Sequence, residues 1–253
     1  MPSDAKLAHD SFLKTYRASA QETEREESLE QLMGSGETAL DIGTLDGYYA
    51  KKIKTRYSRV VAFDLVDRGI PGCENVAGDA REMSRFADNS FDLVFCAEVL
   101  EHIPHVEKAA AEIVRVCRKR AVIGVPYKQD IRLGRVTCAK CGKTAPPWGH
   151  VNSFDEHRLK AIFSGMEVES KHFIGKNRGR TTALATAMMD MAGNPWGVYE
   201  HQVCMYCDAG LVAPQSRSLG QRLLGAAAFK MNQVQEQFCE THGNWIHIAF
   251  TKR

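Results

Sequence analysis

Charged and polar positions dominate residues 1–33, which keep a helical rhythm, with Leu29, Leu32 and Met33 forming an apolar edge before "GSG" at 34–36 breaks it. Past the break the period shortens. "TALDIG" reads as a short buried strand, "YYAKKIKTRY" as a helix, "RVVAFDL" as a second strand and "ENVAGDA" as a third, shorter one. "FDLVFCAEVL" supplies a fourth strand. "HVEKAAAEIVRVCRK" follows as an amphipathic helix with Val106, Ala110, Ile113 and Cys117 on one face, and "RAVIGVPY" as a fifth strand. Strands that are apolar on both faces and alternate with amphipathic helices need cover on both sides, which is a parallel sheet with right-handed crossovers.

Beyond Pro126 the alternation lapses. "FDEHRLKAIF" restores a helix and "MEVESKHFI" a strand, and "WIHIAFTKR" closes the chain as a last strand. Residues 175–243 are irregular. They hold two helix candidates, the methionine-rich "TTALATAMMDMA" and a longer one from Leu219 to Cys239 with a stripe of Leu224, Ala228, Met231 and Phe238. The expected organisation is an N-terminal helical segment (1–33), a core formed by 34–174 and 244–253, and insertions at 128–150 and 175–243 that make a metal-bound subdomain or lid.

At 253 residues and 44% hydrophobic, the chain has ample material for one large α/β core. No apolar run approaches the roughly 20 residues that span a bilayer, and the N-terminus lacks the apolar stretch of a signal peptide. The expected compartment is the cytoplasm, with no membrane partner. A net charge of +2 does not demand a nucleic-acid partner, although "KKIKTRYSR", "RVCRKR" and "GKNRGR" are basic runs.

Eight cysteines in a reducing compartment argue against a disulfide framework. Cys73, Cys96, Cys117 and Cys239 stand singly, whereas Cys138, Cys141, Cys204 and Cys207 form two C-x-x-C pairs. Four thiolates complete a closed tetrahedral Zn²⁺ site, which is structural because no coordination position stays open. The pairs resemble zinc-ribbon knuckles, each followed by a glycine that permits a left-handed turn. Sixty-two residues separate them, so the metal would staple the two insertions together. Redox chemistry fits less well, since neither pair opens a helix after a strand.

Ligands of open parallel sheets bind at the carboxyl ends of the strands, so the loop of "ALDIGTLDGYYA" is the first candidate site. Gly43 and Gly47 sit there, in a spacing that is not the dinucleotide fingerprint. Asp64 ends the second strand, 23 positions after Asp41, where a carboxylate can accept hydrogen bonds from a ribose diol, and Asp79 follows the third strand.

In that order "LDIGTLDG", "AFDL", "VAGDA" and "SFDLVFCAEVLEHI" resemble the cofactor-binding motifs of class I S-adenosylmethionine-dependent methyltransferases, over about residues 36–127. The resemblance implies a Rossmann-like, doubly wound seven-stranded sheet, mostly parallel, with the last strand antiparallel. It implies that Asp41, Gly43 and Gly47 face the methionine moiety, Asp64 with Leu65 the ribose, and Asp79 with Ala80 the adenine. Glu98 would contact the cofactor. Two departures stand out: Leu45 replaces a usual glycine, and "CRKR" replaces a Gly-rich turn before strand five.

Glu98, Glu101 and His102, spaced i, i+3 and i+4, would share one helical face at the rim of that site. Such a trio could bind Mg²⁺ or Mn²⁺, or His102 could act as a general base. The E-x-x-E-H pattern is similar to the metal motif of ubiquinone-pathway O-methyltransferases and of small-RNA 2′-O-methyltransferases. The latter add a histidine after strand five, which His150 would match. The expected catalytic residues are therefore His102, Glu101 and His150. The expected function is methyl transfer from S-adenosylmethionine to an O or N atom of a small-molecule acceptor. RNA methylation and a non-catalytic binding module remain the alternatives.

Overall fold

A computed structural model describes residues 19–199 and 202–252; the part of the expected N-terminal helix over residues 1–18 lies outside the described residues. The chain divides into two compact units, one of residues 19–127, 154–175 and 243–252, the other of residues 128–153 and 176–242.

The first unit is built on seven strands: β1 (Gly36–Ile42), β2 (Tyr57–Asp64), β3 (Glu74–Ala77), β4 (Phe91–Ala97), β5 (Cys117–Pro126), β8 (Glu167–Ile174) and β9 (Trp245–Thr251). Their order is β3-β2-β1-β4-β5-β9-β8, parallel from β3 to β5. The last strand of the chain, β9, runs antiparallel between β5 and β8. The seven-stranded expectation, with "MEVESKHFI" and "WIHIAFTKR" as an antiparallel pair at one edge, is met. The order reverses beside β1, where neighbouring crossovers leave for opposite faces and open a crevice at the strands' carboxyl ends.

Alternating positions of β1 explain the two layers. Leu40 and Ile42 join a cluster with Val106, Ala110 and Ile113 of α3 (Val106–Val116) and Leu159 of α4 (Glu156–Ile162). Ala39 faces the other way, into a cluster with Leu29, Leu32 and Met33 of α1 (Ala20–Met33) and Ala50 and Ile53 of α2 (Tyr48–Ile53). Helix α1 starts where the Ser19 hydroxyl accepts the Glu22 N–H at 3.2 Å and stops at Gly34, φ 64°. Its buried face is apolar in the last turns, at Leu29, Leu32 and Met33, and polar before them, at Glu22, Arg25 and Ser28; the apolar end makes it one of the sheet's covering helices.

Two boundaries differ from the sequence expectation. The helix expected over 48–57 ends at Ile53, because Tyr57 already belongs to β2 and its hydroxyl donates to the Met33 carbonyl at 2.6 Å. The helix expected to run through Lys119 ends at Val116, and β5 begins at Cys117 rather than Arg120. The cause is Asp92 of β4, only 2% exposed. It accepts the Glu37 N–H at 2.9 Å and draws in Arg118 at 2.7 Å and Lys119 at 2.9 Å, so this basic run lies extended along β4. Burial raises the Asp92 carboxyl, but the two cations more than offset it and hold it well below the usual carboxylate range.

The second unit carries little regular structure. It has the short strands β6 (Val136–Thr137) and β7 (Thr144–Ala145), paired antiparallel, and the helices α5 (Ala183–Met191) and α6 (Leu219–Phe238). Helix α6 opens on a capping box between Ser218 and Gln221. The unit's hydrophobic cluster is Val136, Ala145 and Tyr199 with Leu211 against them. Among the described residues no helix is long and apolar enough to cross a membrane.

Candidate active site

A cavity of about 570 Å³ opens in the first unit at the carboxyl ends of the parallel strands. Ile42 at the end of β1 and the residues that follow it to Asp46 form one wall. Gly43 has φ 75°, and a Cβ there would lie 2.2 Å from Val99 Cγ2, so only glycine lets the two loops meet. Thr44 donates its hydroxyl to Asp41 Oδ2 at 2.6 Å. Burial pushes Asp41 up to about 7, against the pull of the Thr44 hydrogen bond and with a smaller push from Asp64. Leu45 takes a left-handed φ of 48°, the conformation a glycine would adopt without strain, with its side chain 43% exposed.

Asp64 and Leu65 after β2, and Asp79 and Ala80 after β3, line the same cavity. Asp64 accepts the Leu45 N–H at 3.1 Å and pairs with Arg68, also at 3.1 Å. Asp79 pairs with Arg81 at 2.6 Å and accepts its backbone N–H at 2.8 Å, so that hydrogen bonding to Arg81 holds this carboxyl below its ordinary value. Seven of the eight expected cofactor residues thus border one space: Asp41, Gly43, Asp64, Leu65, Asp79, Ala80 and Glu98. Gly47 does not. It caps α2 with φ 76°, where a Cβ would meet Ile70 Cγ2 at 2.6 Å, and so shapes the turn from behind.

At the end of β4 the structure corrects an expectation. Glu98 has φ 58°, and only Leu100–His102 form a single 3-10 turn, so Glu98, Glu101 and His102 do not share a helical face. The strained Glu98 backbone sends its carboxylate toward α1 and β9. Its Oε1 lies 2.9 Å from Arg25, and its Oε2 accepts the Trp245 indole N–H at 3.2 Å. Glu98 therefore leaves the proposed Mg²⁺ or Mn²⁺ trio. Glu101 and His102 keep ligand atoms within 4.8 Å of each other. Glu101 is fully buried, and neither carboxylate oxygen has a hydrogen-bond partner among the described residues. Burial, reinforced by the neighbouring Glu98 charge, raises its carboxyl well above the usual range. His102 is exposed and lines the cavity, with Ile103 and Pro104 beside it. His150 belongs to the second unit, where its Nδ1 lies 2.6 Å from Gln129 Oε1 and its ring 5.6 Å from that of Trp148.

Sequence reading missed the cavity's contribution from α1, Glu22 and Arg25. Both fall in helical phase with Leu29 and Leu32, so charges inside a core-facing stripe were the signal available.

The second unit gathers all four paired cysteines. Their sulfurs lie within 4.8 Å of one another, with Cys138–Cys207 and Cys141–Cys204 each at 3.7 Å. The two loops repeat one hydrogen-bond pattern. In the first, the Cys138 N–H donates to Lys143 O at 3.0 Å and the Gly142 N–H to Cys138 O at 2.8 Å. In the second, the Cys204 N–H donates to Ala209 O at 2.8 Å and the Asp208 N–H to Cys204 O at 2.9 Å. The left-handed residue is Gly142 in one loop but Asp208, φ 55°, in the other, where the expected glycine was Gly210. Asp tolerates that conformation better than most side chains. Backbone N–H groups, that of Cys141 foremost, lower the Cys138 thiol to about 6. The cluster suits a closed, four-thiolate zinc site that ties 128–153 to 176–242.

Compared with known proteins, residues 40–124 match the family model described as a methyltransferase domain. No curated protein matches the chain significantly. Solved structures share its fold at low identity. One is a Bacillus halodurans protein with 17% identity and TM-score 0.58, covering 89% of this chain and 97% of its own. A SAM-dependent methyltransferase of Archaeoglobus fulgidus has 14% identity and TM-score 0.55, covering 96% and 99%. The N-methyltransferase NodS of Bradyrhizobium japonicum has 16% identity and TM-score 0.52, covering 93% and 98%.

Proposed function

We propose that this chain, whose residues 40–124 match a methyltransferase-domain model, is an S-adenosylmethionine-dependent methyltransferase that methylates an oxygen or nitrogen of a small-molecule acceptor by direct displacement. The observation that carries this reading is the charge and size of the cavity. About 570 Å³ falls in the range of small-ligand pockets. Its lining includes the carboxylates Glu22, Asp41, Asp46, Asp64, Asp79 and Glu98, against the cations Arg25 and Arg81. Such a wall attracts a cationic sulfonium cofactor and repels a polyphosphate backbone.

In this reading Asp64 receives the ribose hydroxyls, Asp79 and Ala80 the adenine, and the Gly43 loop the methionine moiety. A sulfonium is an activated leaving group, so the enzyme mainly has to hold acceptor and methyl in line. Glu101 and His102 act on the acceptor, His102 by taking its proton. Glu101, a buried carboxylate without a partner, also fits a divalent cation shared with His102, with water or acceptor oxygens completing the shell. Such an ion would lower the pKa of a hydroxyl acceptor. The four cysteines hold one structural Zn²⁺.

Titration calorimetry with S-adenosylhomocysteine, followed by turnover of a surrogate phenol, tests the reading. Binding, together with a fall in turnover of roughly 100-fold in His102→Ala, is the expected result. Near-normal turnover in His102→Ala would remove that residue's role. RNA binding that weakens steeply with salt would replace the small-molecule acceptor with a polynucleotide.

A further inference from the structure

The second unit keeps a hollow of its own. A cavity of about 270 Å³ is lined from α5 and α6, by Met189, Phe229 and Asn232, and from the loops that carry Arg135 and Trp196. It shares no lining residue with the cavity of the first unit. Protein interiors pack closely by default, so a unit with so small a hydrophobic cluster would gain by filling such a space.

Arg135 is set up to take a further partner there. Its Nη1 lies 2.9 Å from Asp190 Oδ2, and the other oxygen of that carboxylate accepts the Asn194 side-chain N–H at 3.0 Å. Asn194 is 1% exposed and also donates to the Thr137 hydroxyl at 3.0 Å, which fixes the arrangement from inside. Among the described residues Asp190 is the only hydrogen-bonding or ion-pairing partner of the Arg135 guanidinium, so the edge formed by Nε and Nη2 stays open. Two parallel N–H donors on one edge match a carboxylate bidentately.

The charges face one way. Arg132 and Arg135 line the cavity, whereas Asp130 and Asp190, which hold them, do not; Glu236, exposed on α6, is the lining carboxylate. Arg217 adds a guanidinium 5.8 Å from the centre of the Trp196 ring. Such a lining favours an anion. Its apolar part is aromatic, with the Trp196 and Phe229 rings 5.0 Å apart and both partly exposed. Gly197 brings Trp196 to Arg135: a Cβ at that position would lie 2.2 Å from the Arg135 carbonyl oxygen, so only glycine lets the turn close on it.

We infer that this cavity is a second small-molecule site, for an aromatic carboxylate whose ring lies against Trp196 and Phe229 and whose carboxylate takes the Nε and Nη2 edge of Arg135. The Asp190 pair stays in place when the ligand binds. About 270 Å³ suits a single substituted ring rather than a nucleotide. The site is independent of the methyl-transfer reading, since none of its residues borders the cavity assigned to the cofactor.

Benzoate is the probe, added to the full chain and followed through the indole N–H resonances of its three tryptophans, with Trp196→Phe to assign them. Benzoate should shift the Trp196 resonance saturably, with millimolar or tighter affinity for a ligand of that size, and leave Trp245 of the first unit unmoved. Benzamide, the same ring without the charge, should bind roughly 10-fold more weakly. Arg135→Met should lower benzoate affinity roughly 10- to 100-fold, as for one charged hydrogen-bonded contact, and leave benzamide within about twofold. Arg135→Lys, which keeps a cation for Asp190 but loses the planar edge, should lose part of the affinity, and it supplies the same test if Arg135→Met disturbs the ligand-free Trp196 resonance. Equal affinities for benzoate and benzamide, an unchanged benzoate affinity in either Arg135 variant, a shift at Trp245 alone, or no saturable Trp196 shift by about 50 mM benzoate overturns the site.

Discussion

The two units of this chain stabilise themselves by different physics. In the first, both faces of a seven-stranded sheet are covered, by α1 and α2 on one side and α3 and α4 on the other, and β4 is buried from Phe91 to Cys96. In the second, the hydrophobic cluster is Val136, Ala145, Tyr199 and the partly buried Leu211. Its longest helix, α6, leaves Leu219, Leu223 and Phe238 exposed. A unit with so small a core needs another source of stability. In the proposed reading, a metal held by the four thiols gathered within 4.8 Å would supply it. The contrast separates a region that can carry strained, charged features because its core is large from one with a small hydrophobic cluster and four gathered thiols.

The largest expected effect breaks the second unit alone. Structural zinc contributes on the order of 10 kcal/mol of apparent folding free energy in small metal-dependent folds. Elemental analysis should find one zinc per chain. Chelation, or Cys138→Ser, should then expose residues 176–242 to protease while residues 19–127 stay resistant. Equal cleavage of both units, or no stoichiometric zinc, would remove the contrast.

A smaller effect probes the first unit. The Asp41 carboxyl rises from 3.8 to about 7 in the folded state, so native protein binds its proton more tightly than the unfolded chain. The stability of the ligand-free protein should therefore decline as pH rises between those two values. Asp41→Asn should remove that decline and gain roughly 2–4 kcal/mol at neutral pH. Denaturant titrations at pH 4 and 7.5 measure it; an unchanged slope in the variant would show Asp41 to be solvated.

The smallest effect concerns strain in the cavity loop. Leu45→Gly should relieve a left-handed backbone at an exposed position, with a gain of about 1 kcal/mol less the entropy glycine adds to the unfolded chain. A loss of stability would mean that the Leu45 side chain packs more than its exposure suggests.

Much of the first unit was legible because its signals are local. Strand, glycine loop, strand, aspartate and strand follow one another at short range, and the carboxyl ends of parallel strands must share an edge. Boundaries were less legible where a distant partner intervened. Arg118 and Lys119 continue a helical pattern in sequence, and only Asp92 in the adjacent strand makes them extended. The E-x-x-E-H spacing suggested a helical face because spacing assumes a helix; a left-handed Glu98 directs that carboxylate elsewhere. The cysteine pairs were plain in sequence, but the repeated hydrogen-bond pattern and the left-handed Asp208 were not, since they depend on backbone conformation.

By itself the sequence determined the order of strands and helices, the covered parallel sheet, the carboxylates at successive strand ends and the two cysteine pairs, all of which follow from periodicity and short-range turn chemistry. The tertiary structure decided which charges meet. Arg25 and Glu98 stand 73 positions apart, and Trp245 comes 147 positions after Glu98. No local pattern joins them; they meet because the Leu29, Leu32 and Met33 end of α1 docks on the sheet face over β5, β8 and β9.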